Sequence, residues 1–139
     1  RDVFLFLVDD HNPIEAGLAF AVKLDKPAGF IGRDALAAIR DAGTPKRRMV
    51  QVLLDDPEPL LFGNEIIRLD GAVVGHLQVG AYGHTLGGAV GIGFVSLDVP
   101  ITPSLVEAGR WEVEVAGRVV GARASLKPLF DPGLDRVRA

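Results

Sequence analysis

The chain of 139 residues contains no cysteine. This absence excludes disulfide bonds, thiolate nucleophiles, iron–sulfur clusters and cysteine-ligated zinc together. A chain without cysteine fits a reducing compartment. The sequence shows no basic segment followed by an apolar stretch and a cleavage site, the pattern that would indicate secretion. We therefore expect a cytoplasmic location.

Long hydrophobic runs and a basic charge excess are also absent. The longest apolar run, residues 3–8 (VFLFLV), is far shorter than the ~18 residues that a membrane-spanning helix needs. Lysine and arginine total 15 against 18 acidic residues, which gives a formal net charge of −3. Nucleic-acid binders depend on an excess of cations that neutralise phosphates. We therefore expect neither a membrane nor a nucleic acid as a partner.

Glycine, proline and short aliphatic runs are abundant instead. The chain has 17 glycines and 9 prolines, and 48% of its residues are hydrophobic. Short runs rich in Val, Ile and Leu between turn-forming residues are typical of an all-β domain. The dipeptide Asp70-Gly71 between two such runs predicts a tight hairpin. We count six or seven strands and predict a mainly β fold, a barrel or sandwich of Greek-key or jelly-roll type.

The part before residue 46 has a different character. Residues 33–42 are rich in alanine and end at a glycine, and this pattern predicts one short helix. Residues 3–8 predict a strand. Because the chain opens with Arg1 and runs directly into this apolar segment, we expect it to be cut from a longer polypeptide.

Few residues carry recognisable chemistry. His11, His76 and His84 lack a second ligand at metal-binding spacing, and the serines lack a nucleophile-elbow context. The motif in residues 91–96 (GIGFVS) is an incomplete dinucleotide fingerprint inside a predicted strand, where no helix follows. The sequence therefore gives little support for a metal site, a hydrolytic catalytic triad or a nucleotide-binding site.

Three polar features remain as candidate binding groups. Glu15 stands among apolar residues and could accept a hydrogen bond from a ligand ring amide, or it could cap a backbone turn. Arg47 and Arg48 could pair with a ligand carboxylate, or they could be solvated at a strand entry. Tyr82 and His84 stand in a glycine-rich loop that could touch a ligand or merely turn the chain.

An ordered series of motifs over residues 12–136 resembles the glycine-cleavage T-protein (aminomethyltransferase) family. No single motif is diagnostic, but their order is. The sequences of these motifs are most similar to those in the folate-binding half of sarcosine and dimethylglycine dehydrogenases and oxidases. The motifs include residues 12–18 (NPIEAGL), 22–26 (VKLDK), 30–36 (FIGRDAL), 47–50 (RRMV), 80–82 (GAY) and 128–132 (PLFDP).

The resemblance implies a C-terminal antiparallel barrel at residues 46–139 that follows the end of a larger folate-binding domain at residues 1–45. It also implies tetrahydrofolate as the cofactor, accepting a one-carbon unit, and an FAD domain far upstream in the dehydrogenase branch. Folate and the upstream domains of the same polypeptide would then be the partners. The family's catalytic Asp precedes this region, so the segment alone would be inactive.

Within the resemblance, Glu15, Arg47, Arg48, Tyr82 and His84 would be cofactor-binding, with Arg47 or Arg48 on the glutamate tail of folate. Tyr82 would stack on the cofactor or bond to it. Leu7 stands where the family pattern has a pterin-binding Glu, and Leu cannot accept a hydrogen bond there. An alternative interpretation follows: a non-catalytic barrel without folate contacts that serves domain packing or oligomerisation.

Overall fold

The computed structural model of the protein describes residues 10–133 and 135–138. The strand predicted over residues 3–8, and the departure at Leu7, lie outside these residues. The described part begins with a 3₁₀ turn at Ala19–Ala21 and helix α1 at Arg33–Asp41, close to the predicted 33–42. The strands that follow are β1 Arg47–Leu54, β2 Ile66–Leu69, β3 Ala72–Gly83, β4 Gly88–Ser96, β5 Trp111–Val115 and β6 Arg118–Ser125.

The six described strands close into an antiparallel barrel in the order β1-β4-β3-β2-β5-β6. The prediction of a mainly β antiparallel barrel is therefore confirmed. Alternate residues of each strand face the interior, and Val50, Val52 and Ile67 are among those that fill it. The core lies within the barrel, and closure leaves no free sheet edge.

Two tight turns join neighbouring strands of the barrel. Asp70 and Gly71 have φ of 51° and 84°, as the predicted hairpin requires, and Ala116 and Gly117 have φ of 49° and 78°. Positive φ at both central residues gives a turn whose twist matches that of the paired strands. Hydrogen bonding between β3 and β4 extends to Gly83 and Gly88, so the glycine-rich loop is shorter than predicted.

The stretch from Leu97 to Gly109 carries Pro100 and Pro103 and is therefore predicted to be a crossover loop. This stretch is not a simple loop. It contains helix α2 at Pro103–Ala108, whose N-cap Thr102 accepts a hydrogen bond from the Leu105 amide at 3.2 Å. Proline is well tolerated in the first helical turn because its missing N–H would be unpaired there anyway. A short helix α3, Asp135–Arg138, follows the proline-rich tail.

The barrel has two ends that differ in what they touch. We call the end where β1 begins at Arg47 the near end, and the end where β1 stops at Leu54 the far end. Residues 10–46 attach to the near end, where the Met49 amide donates to the Glu15 carbonyl at 2.9 Å and the Ile101 amide donates to the Pro45 carbonyl at 3.0 Å. The β1–β2 loop and the Ala116–Gly117 turn lie at the far end.

Candidate functional site

Glu15 lies where residues 10–46 meet the near end. Its turn is held by the Asn12 side chain, whose Oδ1 accepts hydrogen bonds from the Ile14 and Glu15 amides, each at 3.0 Å. The carboxylate atom Oε2 is buried and has no hydrogen-bond partner, with Arg47 Nη1 at 3.7 Å. An unsatisfied buried acceptor is costly, so this oxygen is suited to receive a donor from a ligand.

Arg47 is already engaged by its surroundings. Besides Glu15, its Nη1 atom donates to the Asp10 carbonyl at 3.4 Å. Its guanidinium lies 5.0 Å from the centre of the Phe94 ring, and the ring of His11 stacks on Phe94 at a centroid distance of 3.9 Å. Arg47 therefore orients Glu15 and fastens residues 10–15 to the outer face of the barrel.

Arg48 faces the opposite side of the same strand, because successive side chains of a strand alternate. Its Nη1 atom donates to the Ile101 carbonyl at 3.3 Å, and its Nε atom is buried without a partner. Burial lowers the pKa of the Arg48 guanidinium below its usual value, because desolvation disfavours the charged form. Within residues 10–133 and 135–138 no carboxylate forms an ion pair with Arg48, so its charge is available to an anion.

Tyr82 and His84 lie at the far end instead. Their rings meet edge to face at a centroid distance of 5.1 Å. Tyr82 pairs with Ala89 of β4 and Arg47 pairs with Ser96 of the same strand. These positions are seven residues apart along β4, or roughly 23 Å at the rise of a strand.

The structure thus brings Glu15 and Arg47 together, places Arg48 at the same end of the barrel on the opposite face of β1, and leaves Tyr82 and His84 at the other end. A direct contact of each residue with folate stays a prediction. We call Glu15, Arg47 and Arg48 the near-end cluster.

Sequence reasoning missed a groove beside His84. It has a volume of about 470 Å³ and is lined by β3 and β4 on one side and by Pro128 and Phe130 on the other. Gln51 holds the second wall in place, since its Oε1 atom accepts a hydrogen bond from the Leu129 amide at 3.0 Å. One wall of the groove depends on a contact between residues 78 positions apart in the chain, which no local sequence pattern predicts.

Two further properties bear on the kind of site. Over the described residues, no three His, Asp or Glu side chains lie close enough to hold a metal ion. None of the described helices has the length and apolar character needed to cross a bilayer.

Comparison with known proteins gives one consistent picture. Residues 47–131 match the family described as the glycine cleavage T-protein C-terminal barrel domain. The chain is 40% identical over 131 residues to 4-methylaminobutanoate oxidase (formaldehyde-forming) of Paenarthrobacter nicotinovorans. The aligned residues cover 94% of the chain and 15% of that protein. It is 38% identical to human mitochondrial sarcosine dehydrogenase, with 93% of the chain and 14% of that protein covered.

Shorter relatives and a solved structure agree with this. An aminomethyltransferase of Symbiobacterium thermophilum is 38% identical over 122 residues, which span 88% of the chain and 31% of that protein. The crystal structure of the glycine cleavage system aminomethyltransferase T from Bartonella henselae superposes with a TM-score of 0.68 at 22% identity, covering 89% of the chain and 33% of that structure. The chain therefore spans about 15% of the length of the dehydrogenase and oxidase relatives and about a third of the aminomethyltransferases.

Proposed function

This chain belongs to the glycine cleavage T-protein C-terminal barrel family, and from that premise we propose that it is the C-terminal part of a tetrahydrofolate-dependent enzyme. The parent would be an FAD-linked oxidase or dehydrogenase of N-methyl amines that passes a one-carbon unit to tetrahydrofolate. The observation that carries the proposal is identity of 38–40% over 93–94% of the chain to a 4-methylaminobutanoate oxidase and a sarcosine dehydrogenase. That similarity includes residues before the barrel as well as the barrel itself.

The division of the chain follows from the same proposal. Residues 46–139 would be the barrel domain, and residues 1–45 would end the preceding folate-binding domain. Helix α1 supports this division, because none of its residues is buried. Phe20 is 86% exposed and Ile31 is fully exposed. Large apolar side chains are stabilised by leaving water, so an upstream domain of the same polypeptide would cover them.

The near-end cluster would supply this chain's share of the folate site. Glu15 has a buried oxygen free to accept a hydrogen bond from the pterin, and Arg47, 3.7 Å from that oxygen, would orient the carboxylate. Arg48, which has no carboxylate partner in the described chain, is better placed than Arg47 to bind the glutamate tail. Arginine pairs with carboxylates through two parallel hydrogen bonds.

Folate binding by the complete polypeptide tests this assignment. We expect Arg48→Ala to weaken tetrahydrofolate binding about tenfold to a hundredfold, because a charge-assisted hydrogen bond to a carboxylate contributes ~1.5–3 kcal/mol. Titration calorimetry measures the change. The matched control is Arg123→Ala, which removes an exposed arginine of β6 far from the cluster. Equal affinity of wild type and Arg48→Ala would remove Arg48 from the folate site.

A second candidate function is domain packing without folate contacts. The far-end position of Tyr82 and His84 favours it, since two of the predicted contacts are separated from the rest. The folate affinity of a further variant, Glu15→Gln, helps to distinguish the two functions. Weaker folate binding by Glu15→Gln supports the first function, and undetectable folate binding by the wild-type parent supports the second.

A further inference from the structure

The ion pair between Arg47 and Glu15, which we call the open pair, is unusually long. The distance from Arg47 Nη1 to Glu15 Oε2 is 3.7 Å, whereas a hydrogen bond between a guanidinium and a carboxylate is ~2.7–2.9 Å long. The Oε2 atom is buried and accepts no hydrogen bond within the described chain. An acceptor left in this state is costly, so the open geometry needs a physical cause.

A second pair of the same residue types is closed. Arg68 Nη2 lies 2.7 Å from Glu114 Oε2, on neighbouring strands of the barrel. These two side chains are 26% and 29% exposed, against 37% and 20% for Arg47 and Glu15. Burial alone therefore does not explain why one pair closes and the other stays open.

The two arginines differ in one contact. Each donates a hydrogen bond to one backbone carbonyl, Arg47 to Asp10 at 3.4 Å and Arg68 to Gly71 at 3.2 Å. Only Arg47 also lies over an aromatic ring, with its guanidinium carbon 5.0 Å from the centre of Phe94, and among the described residues Arg68 has no such contact. The electron-rich face of a ring attracts a cation, so Phe94 supplies the difference.

The Phe94 ring is itself held in place. Phe94 is 7% exposed and pairs with Met49 of β1 and His76 of β3. The ring of His11 stacks on it at a centroid distance of 3.9 Å and an angle of 14°. A packed ring offers the Arg47 guanidinium a surface of fixed position.

We propose that Phe94 is a positioning residue for the Glu15 carboxylate: its ring draws the Arg47 guanidinium aside and leaves the carboxylate free to accept a hydrogen bond from a ligand. The identification of that ligand as the pterin rests on the proposed function. The Glu15 side chain is 20% exposed, so its carboxylate can be reached from outside the chain. Without the ring, Arg47 would close onto Glu15 as Arg68 closes onto Glu114, and it would compete with the ligand.

Crystal structures of the 139-residue chain test the geometry without any ligand. Phe94→Leu removes the ring and keeps an apolar side chain, and Phe94→Met is a second ring-free variant in case one replacement prevents folding. In both we expect the distance between the Arg47 guanidinium and the Glu15 carboxylate to shorten from 3.7 Å to about 2.9 Å. Phe94→Tyr keeps the ring and should leave the pair open.

Three crystallographic results would overturn the proposal. They are a wild-type pair that is already closed, a pair that stays open in the ring-free variants, and a pair that closes in Phe94→Tyr. Circular dichroism verifies that each variant is folded before its structure is interpreted.

Tetrahydrofolate binding by the complete polypeptide tests the consequence. Phe94→Leu should weaken binding about tenfold, the effect expected from impairing one hydrogen bond to a charged group, and Phe94→Tyr should retain most of the affinity. Titration calorimetry measures both. The matched control is Phe62→Leu, the same replacement at a residue of the β1–β2 loop that is 80% exposed, and it should bind as wild type does. Equal losses for Phe94→Leu and Phe62→Leu would contradict a positioning role.

A double-mutant cycle separates positioning from a general loss of packing. If Phe94 acts through Arg47, Phe94→Leu should weaken tetrahydrofolate binding no further in a polypeptide that already carries Arg47→Met, because no cation remains to compete for Glu15. Additive losses would overturn the proposal. Undetectable binding by the wild-type polypeptide would instead overturn the proposed function, and the crystallographic distances would still decide whether Phe94 holds the pair open.

Discussion

The barrel and the segment that precedes it differ in how they satisfy their apolar side chains. Every buried hydrophobic residue of the described chain except Ala16 lies between Val50 and Ala122. Residues 10–45 instead expose Phe20 and Ile31, and α1 has no buried residue. The barrel encloses its own core, whereas the segment leaves these large apolar side chains exposed. The comparison teaches that sequence similarity to relatives extends over a region wider than the unit that folds around one core.

The largest expected effect on stability comes from removing a buried side chain, which should matter in the barrel and not in α1. Ile67→Ala should lower the free energy of unfolding by ~2–5 kcal/mol, because Ile67 is fully buried in the barrel and its loss leaves a cavity. Ile39→Ala in α1 should cost less than about 1 kcal/mol. Urea denaturation followed by the fluorescence of the single, buried Trp111 measures both. Similar losses in the two variants would mean that α1 and the barrel share one cooperative core.

A smaller effect is expected from helix capping. Thr102→Ala removes the side-chain oxygen that caps α2 and should cost about 1 kcal/mol, with Thr102→Ser as the variant that retains the hydroxyl. Helix α1 has no equivalent bond, since its N-cap is Gly32. The same denaturation assay applies. If Thr102→Ala is as stable as wild type, the cap does not contribute to barrel stability.

The smallest effect concerns ion pairs. Arg68 and Glu114 lie on neighbouring strands at 2.7 Å with both side chains largely covered, whereas Arg40 and Asp41 at 2.8 Å are mostly exposed in α1. Arg68→Ala should lower the free energy of unfolding by up to ~1 kcal/mol at low salt and by less at high salt, because ions screen the pair. Arg40→Ala should have no measurable effect at either salt concentration. A loss for Arg40→Ala that equals the loss for Arg68→Ala would contradict this ranking.

Local patterns predicted much of the fold. Alternation of polar and apolar residues predicts a strand at Trp111–Val115, and the Asp70-Gly71 dipeptide predicts its hairpin; both are present, since both signals act within a few residues. Helix α2 was missed because Pro100 and Pro103 suggested a loop. The Thr102-Pro103 pair is nevertheless a recognisable helix start, with a capping hydroxyl followed by proline, and it could have revealed the helix.

The candidate site was predicted less completely. Residue type alone points to Glu15, Arg47 and Arg48, and the bond between the Met49 amide and the Glu15 carbonyl brings Glu15 to Arg47, whereas Arg48 lies on the opposite face of β1. Tyr82 was grouped with them on the same grounds, but strand register carries it to the other end. The β3 register also shifts between Leu77 and Val79, and a shift of this kind changes which residues of a strand share a face.

The sequence by itself determined the class of fold, the strand segments, the short helix α1 and the family, because each depends on the order and spacing of residues along the chain. Only the tertiary structure decided which ends of the strands meet, and that Arg48 is partly buried without an ion pair in the described chain. These depend on barrel closure and register, which join residues distant in the chain, and a local pattern contains no information about such contacts.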